Sequence, residues 1–307
     1  MENQTIVYVL FLAGLSDLPS LQLPLFLVFL LIYLMTLTGN LLILLLIFTD
    51  SHLHTPMYFF LGTLACLDLS LSSVTSPRML FDLLRERKII SVPACITQFY
   101  FFLFFSVSEV IVLAVMSCDR YIAICRPLHY MQIMSWRVCV QIVSGVLVYG
   151  AVNSLLHIVF LTKLTFCRPV ALKSFFCDLP QLLEASCSDT FINALLIFIF
   201  GTLFGGVMLG VTFYPYITII RTVLKIPTMQ MRSKAFSTCF SHLTVVFIFY
   251  STCFFNYLRS NTNGDQHAEG KVASVFYAIF TPFLNPLIYS LRNQELKISL
   301  RKILKRK

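Results

Sequence analysis

The 307-residue chain is 58% hydrophobic and 12% charged, with a net charge of +9. Soluble domains run at roughly 45 to 50% apolar and about 25% charged, which excludes one here, and disorder needs the reverse balance. With only 11 Gly and 12 Pro, a collagen or linker chain is excluded too, and a multipass membrane protein is left.

Taken in chain order, apolar runs of about 20 residues or more fall at 24 to 48, 56 to 80, 94 to 119, 138 to 160, 193 to 220, 235 to 258 and 272 to 291. The expected fold is an all-α membrane protein, a seven-transmembrane-helix bundle with a short amphipathic C-terminal helix. Its parts are an N-terminal tail at 1–23, the bundle at 24–291 and a C-terminal segment at 292–307. The longest connection, 161 to 192, is below ordinary domain size. Chemistry is therefore expected within the bundle or at its faces.

An odd number of spans puts the two ends of the chain on opposite sides, so loop cations choose the orientation. With the N-terminus outside, the +9 divides as +11 on the inner segments, 0 on the outer ones and −2 within spans, from Asp68 and Glu109. The basic excess borders the membrane, which favours lipid headgroups as its partner over nucleic acid. The first 23 residues lack Lys and Arg, so no cleaved signal peptide is expected. Asn3-Gln4-Thr5 is a glycosylation acceptor on the outer tail.

Six of the ten cysteines fall in spans or inside; Cys95, Cys167, Cys177 and Cys187 fall outside, where two bridges are expected among three possible connectivities. Asp68 lies 12 residues from Pro56, about 18 Å in helix, and Glu109 lies 11 from Arg120, about 16.5 Å, so the two carboxylates share a depth. Either they share a sodium ion or a proton, or one is a protonated carboxyl bonded to Ser or Asn neighbours. Pro215, Pro282 and Pro286 free carbonyls within spans five and seven, as hinges or as static kinks.

No H-E-x-x-H, G-x-S-x-G, phosphate loop or C-x-x-C occurs, and the six histidines are scattered, so neither an enzyme nor a cofactor is expected. Span seven offers only Lys271, at its outer edge, which argues against a retinal pigment.

At the inner end of span three the chain reads Met116-Ser117-Cys118-Asp119-Arg120-Tyr121-Ile122-Ala123-Ile124-Cys125-Arg126-Pro127-Leu128-His129-Tyr130. Further stretches are Gly39-Asn40, Leu53-His54-Thr55-Pro56-Met57-Tyr58, Lys234-Ala235-Phe236-Ser237-Thr238-Cys239-Phe240-Ser241-His242-Leu243 and Pro282-Phe283-Leu284-Asn285-Pro286-Leu287-Ile288-Tyr289. Together these resemble the olfactory receptors, rhodopsin-like class A G-protein-coupled receptors, over essentially the whole chain. Departures are Cys118 for Tyr, Pro215-Tyr216 for Ser-Tyr, Ala65 for Ser and Tyr149 for Trp.

The resemblance implies a plasma-membrane receptor in which an odorant in the outer half shifts an equilibrium read by an olfactory-type stimulatory G protein, raising cAMP. It implies the pairs Cys95 with Cys177 and Cys167 with Cys187. It assigns Asp119 to restraining Arg120, and assigns Tyr121, Tyr216, Tyr250, Asn285 and Tyr289 to activation and coupling. Helical spacing then offers a ligand row at Phe99, Phe102 and Ser106, faced by Phe200, Phe204, Cys253, Phe254, Tyr257, Val275 and Ala278. Without an acid in the outer half of span three, a small, mainly hydrophobic volatile fits better than an amine. Leu296, Leu300, Ile303 and Leu304 recur among cations, as in a helix lying on the inner leaflet. The competing class is an ion-coupled transporter or channel using Asp68 and Glu109.

Overall fold

The computed structural model describes residues 9–15, 18–167, 171–172, 174–225, 229, 232, 239–240, 242–252 and 275–305. Asn3, Cys253, Phe254 and Tyr257 lie outside the described residues. Among the described residues, five helical stretches are long and apolar enough to cross a membrane. They are α1 (Pro19–Thr49), α2 (Pro56–Leu83), α3 (Val92–Cys125), α5 (Trp136–Leu161) and the rod Phe191–Leu224. The rod is built from α7 (Phe191–Leu196), a π-helical stretch (Ile197–Phe204) and α8 (Gly205–Leu224). Short helices α4 (Tyr130–Ile133) and α6 (Leu179–Ala185) lie in connections. Beyond them come α9 (His242–Thr252), a π-helical stretch (Phe276–Phe280) leading into α10 (Thr281–Arg292), and α11 (Gln294–Lys305).

Prolines mark where these helices begin. Pro19, Pro56, Pro93 and Pro180 occupy first-turn positions, where a missing N–H has no intrahelical partner to lose. Helix α1 begins five residues before the apolar run at 24, and Pro24 is carried in its second turn, where only the Ser20 carbonyl loses its donor. Its buried residues, Phe29, Thr36, Asn40, Ile43 and Leu46, recur every three, four or seven positions and form one inward stripe. Leu27, Leu31, Leu34 and Leu41 stand exposed on the other side, the face a bilayer covers. Helix α3 is central, packing on α2, α5 and α8.

A small sheet caps one end, an addition to the all-helical expectation. Strand β1 (Val9–Leu12) lies between β2 (Ile89–Ser91) and β3 (Ala171–Leu172), antiparallel to the first and parallel to the second. Leu10 and Leu12 point down into the protein while Val9 and Phe11 are exposed, the alternation of a half-buried strand. Disulfides join Cys95 to Cys177 and Cys167 to Cys187. Gln98 completes the attachment: its Oε1 accepts from the Cys177 N–H at 3.1 Å while its Nε2 donates to the Val74 carbonyl at 3.2 Å. The loop is thereby sewn to both α2 and α3.

Two glycines set helix spacing. A Cβ on Gly39 would meet Pro286 at 3.2 Å, and one on Gly150 would lie 2.5 Å from Ser108 Oγ. α1 can therefore touch α10, and α5 can touch α3, only where a side chain is missing.

Candidate functional site

Beneath the sheet, the loop after α5 drives aromatic side chains into the bundle. Phe176 meets Phe102 of α3 with ring centroids 4.9 Å apart, beside Phe175, and Val275 and Ala278 close the same cluster. Phe99 packs one turn higher, with Leu10 and the Cys95–Cys177 bond. Ser106 is buried a turn below Phe102, its Oγ without a partner among the described residues. Phe102, Val275 and Ala278 are thus brought together. Phe200 and Phe204 are not part of that cluster: they face α5, with Phe200 edge-on to His157 at 5.8 Å and Phe204 stacked on Tyr149 at 5.0 Å.

At mid-depth stand the two intramembrane carboxylates. Asn285 Nδ2 lies 3.0 Å from both Asp68 oxygens and 3.2 Å from Glu109 Oε1, and all three side chains are buried. One amide therefore bridges two acids. The prolines around it leave no loose ends. Pro286 has no N–H for the Pro282 carbonyl, which instead accepts from Asn40 Nδ2 at 3.2 Å. Pro282 likewise frees the Ala278 carbonyl, and Thr75 Oγ1 donates to it at 3.5 Å.

At the opposite end from the sheet, Arg120 is held by its neighbour: Nη2 reaches Asp119 Oδ2 at 2.6 Å and Nε reaches it at 3.1 Å. Tyr130 of α4 donates to the other Asp119 oxygen at 2.8 Å. Burial raises the Tyr130 phenol above its ordinary range, with the Asp119 charge adding to it, so this group stays a donor. Tyr216 is hydrogen-bonded to His242 Nδ1 and packs with Tyr121, Ile219 and Val223. The His242 ring sits 6.5 Å from that of Tyr289, and His242 Nε2 and the Tyr289 hydroxyl have no partner among the described residues. Tyr250 shares a hydrogen bond with Thr212 of α8 at 3.1 Å.

His242 is the member that spacing arguments overlooked. A lone histidine among apolar neighbours reads as packing; its signal was its place inside the Lys234 to Leu243 stretch. Tyr58 was also missed as a tie: its one hydroxyl proton is shared between Glu295 Oε2 at 2.8 Å and Asn293 Oδ1 at 3.1 Å, fixing α11 to the start of α2.

These features define a helical membrane protein with a lidded aromatic end and a clamped arginine at the other. The fold is that of a seven-helix receptor: squid rhodopsin superposes with a TM-score of 0.71 over 94% of this chain and 87% of its own, at 18% identity. The sequence model described as "Olfactory receptor" matches residues 29–307. Olfactory receptor 8G17 of Mus musculus is 47% identical over 303 residues, covering 98% of each chain. Olfactory receptor 8G1 of Homo sapiens is 46% identical over 307 residues, covering 100% of this chain and 98% of its own. The chain belongs to the olfactory receptor family, G-protein-coupled receptors of multipass membrane topology that signal rather than catalyse.

Proposed function

We propose that the chain is an odorant receptor with its N-terminus extracellular and its C-terminus cytoplasmic, built as a tail at 1–23, a receptor domain at 24–291 and a membrane-surface helix and tail at 292–307. A small, mainly hydrophobic volatile enters under the sheet and contacts Phe99, Phe102, Ser106, Val275 and Ala278, with Cys253, Phe254 and Tyr257 contributed by span six. One observation carries this reading: the disulfide-anchored loop sets Phe176 against Phe102, which makes an aromatic chamber roof that a ligand must displace or extend. Phe200 and Phe204 belong to the α5 side of that region. Cytoplasmic coupling to a stimulatory, olfactory-type G protein runs through Asp119, Arg120, Tyr121, Tyr216, Tyr250, Asn285 and Tyr289. The ligand acts only through its difference in affinity between the resting and active arrangements.

Asp68 and Glu109 support a second element of the reading. Two buried like charges do not stay ionised together without a counter-charge, and Asn285 offers only amide hydrogens, so a shared proton or a sodium ion completes the site. The same pair is what an ion-coupled transporter would use. A mixed odorant panel against the expressed protein, read as cAMP, tests the receptor; ion flux in liposomes tests the transporter. Ser106→Ala and Tyr257→Phe are expected to weaken a responsive odorant while surface expression holds. Unchanged potency of every agonist in both variants rejects this chamber.

A further inference from the structure

The face of α5 that meets α3 and α7 carries polar atoms that no group among the described residues answers. Asn153 Oδ1, Ser154 Oγ and His157 Nδ1 are buried and lack hydrogen-bond partners among the described residues, as does Asn193 Nδ2 on α7. The four side chains are at most 5% exposed. Residues three and four apart share a helix face, so Asn153, Ser154 and His157 form one patch. The Phe200 ring meets His157, and α7, which carries Asn193, packs against α5. The missing side chain at Gly150, one turn before Asn153, seats this patch close on α3.

A buried polar group left unanswered is costly, because it gives up its water without gaining a partner. Leu161, Ile158 and Ile197 show what an ordinary apolar seam between these helices uses instead. Four such groups in one seam are the complement of an occupant that brings its own donors and acceptors. Its class follows from the atoms. Asn193 Nδ2 and the Ser154 hydroxyl donate, Asn153 Oδ1 accepts, and His157 Nδ1 does either according to tautomer. No Asp, Glu, Lys or Arg occurs at 138–162 or 191–220, and Glu109 of α3 is bonded to Asn285, so α5 and the rod supply nothing to offset a charged ligand group. A neutral oxygen is what remains.

We propose that Asn153, Ser154, His157 and Asn193 form a polar subsite that binds the hydroxyl or carbonyl oxygen of an otherwise hydrocarbon ligand, with Phe200 beside it. The inference rests on the receptor reading and adds the ligand's functional group to it. Ser106 belongs to the Phe102 row of α3 and is a separate handle.

The test uses the full-length receptor in cells, with surface staining and cAMP as readouts. The probes are straight-chain and cyclic alcohols, aldehydes and ketones of six to ten carbons, alongside matched hydrocarbons, carboxylic acids and amines. Activation by oxygenated neutral members is expected. His157→Phe and Asn153→Leu should raise their EC50 about tenfold, the effect of one lost hydrogen bond. His157→Gln, which keeps a donor and an acceptor, should remain near the parent. Should His157→Phe fail to reach the surface, Ser154→Ala is read in its place. Unchanged potency in these variants means the seam holds only water, and overturns the subsite; activation confined to acids, amines or hydrocarbons overturns it equally. In either case a cAMP response leaves the receptor reading standing, whereas silence to every volatile removes both.

Discussion

Arg120 is neutralised by the residue before it, and that pairing depends on a third group. Tyr130 holds the second Asp119 oxygen at 2.8 Å, so the carboxylate is fixed from α4 as well as from α3. A hydrogen bond to a charged acceptor contributes about 1.5–3 kcal/mol. In Tyr130→Phe the clamp on Arg120 loosens, and agonist-free cAMP should rise several-fold at equal surface level; unaltered basal signalling would show that α4 has no part in the restraint. On the other side of the membrane, burial holds the Asp178 carboxyl up at about 6, with the Leu179 N–H pulling back against it. The folded loop therefore binds this proton more tightly than the unfolded loop does. That contribution to stability is present below the ordinary carboxylate range and is lost as pH rises through about 6. Hydrogen exchange across 174–186, corrected for intrinsic rates, should be slower at pH 5 than at pH 7.5, and this difference should vanish in Asp178→Asn.

At the scale of elements, α10 is a helix whose two prolines are answered by its neighbours. Asn40 from α1 and Thr75 from α2 take the carbonyls that Pro286 and Pro282 release. The bends are thus held in place by other helices. Asn40→Leu leaves the Pro282 carbonyl orphaned and should cost about 1–3 kcal/mol, seen as a lower Tm of the receptor in nanodiscs, while Asn40→Gln should recover part of it.

How much of this could be read in advance differs by element. The spans were legible because about 20 apolar residues have few other uses. The common depth of Asp68 and Glu109 followed from helix rise alone, but their union through Asn285 depends on the rotation of α10, which no residue count supplies. Regular helical spacing turns Phe200 and Phe204 toward the chamber, whereas the π-helical stretch at Ile197–Phe204 changes the phase of the rod where they lie. The sheet was illegible: its strands are four, three and two residues long, too short for an alternating pattern to register.

As a whole, the molecule is a bundle fastened at both ends. One end is closed by the sheet, two disulfides and Gln98; the other by Tyr58 on α11 and by Lys302, 3.4 Å from Asp50. The backbone hydrogen bond from His52 lowers the Asp50 carboxyl below its usual range. With its Lys302 side chain half exposed, the Lys302–Asp50 pair contributes little energy, so Tyr58 is the stronger tie. The orientation drawn from loop cations has a direct check: epitope tags on the two ends should label from opposite sides of intact cells, and labelling of both from one side would refute the topology.

The strand at the start of the chain also imposes an order on biosynthesis. β1 pairs with residues 80 and 160 positions further along, as in Leu10 with Ile90 and Phe11 with Ala171. A ribosome adding roughly 5–20 residues per second needs about 8 to 32 s to make that second partner. Until then the nascent segment has an open edge on the side where β3 will dock, available to chaperones or to another chain. Quality control of this receptor therefore begins with a peptide that must wait for a stretch not yet translated.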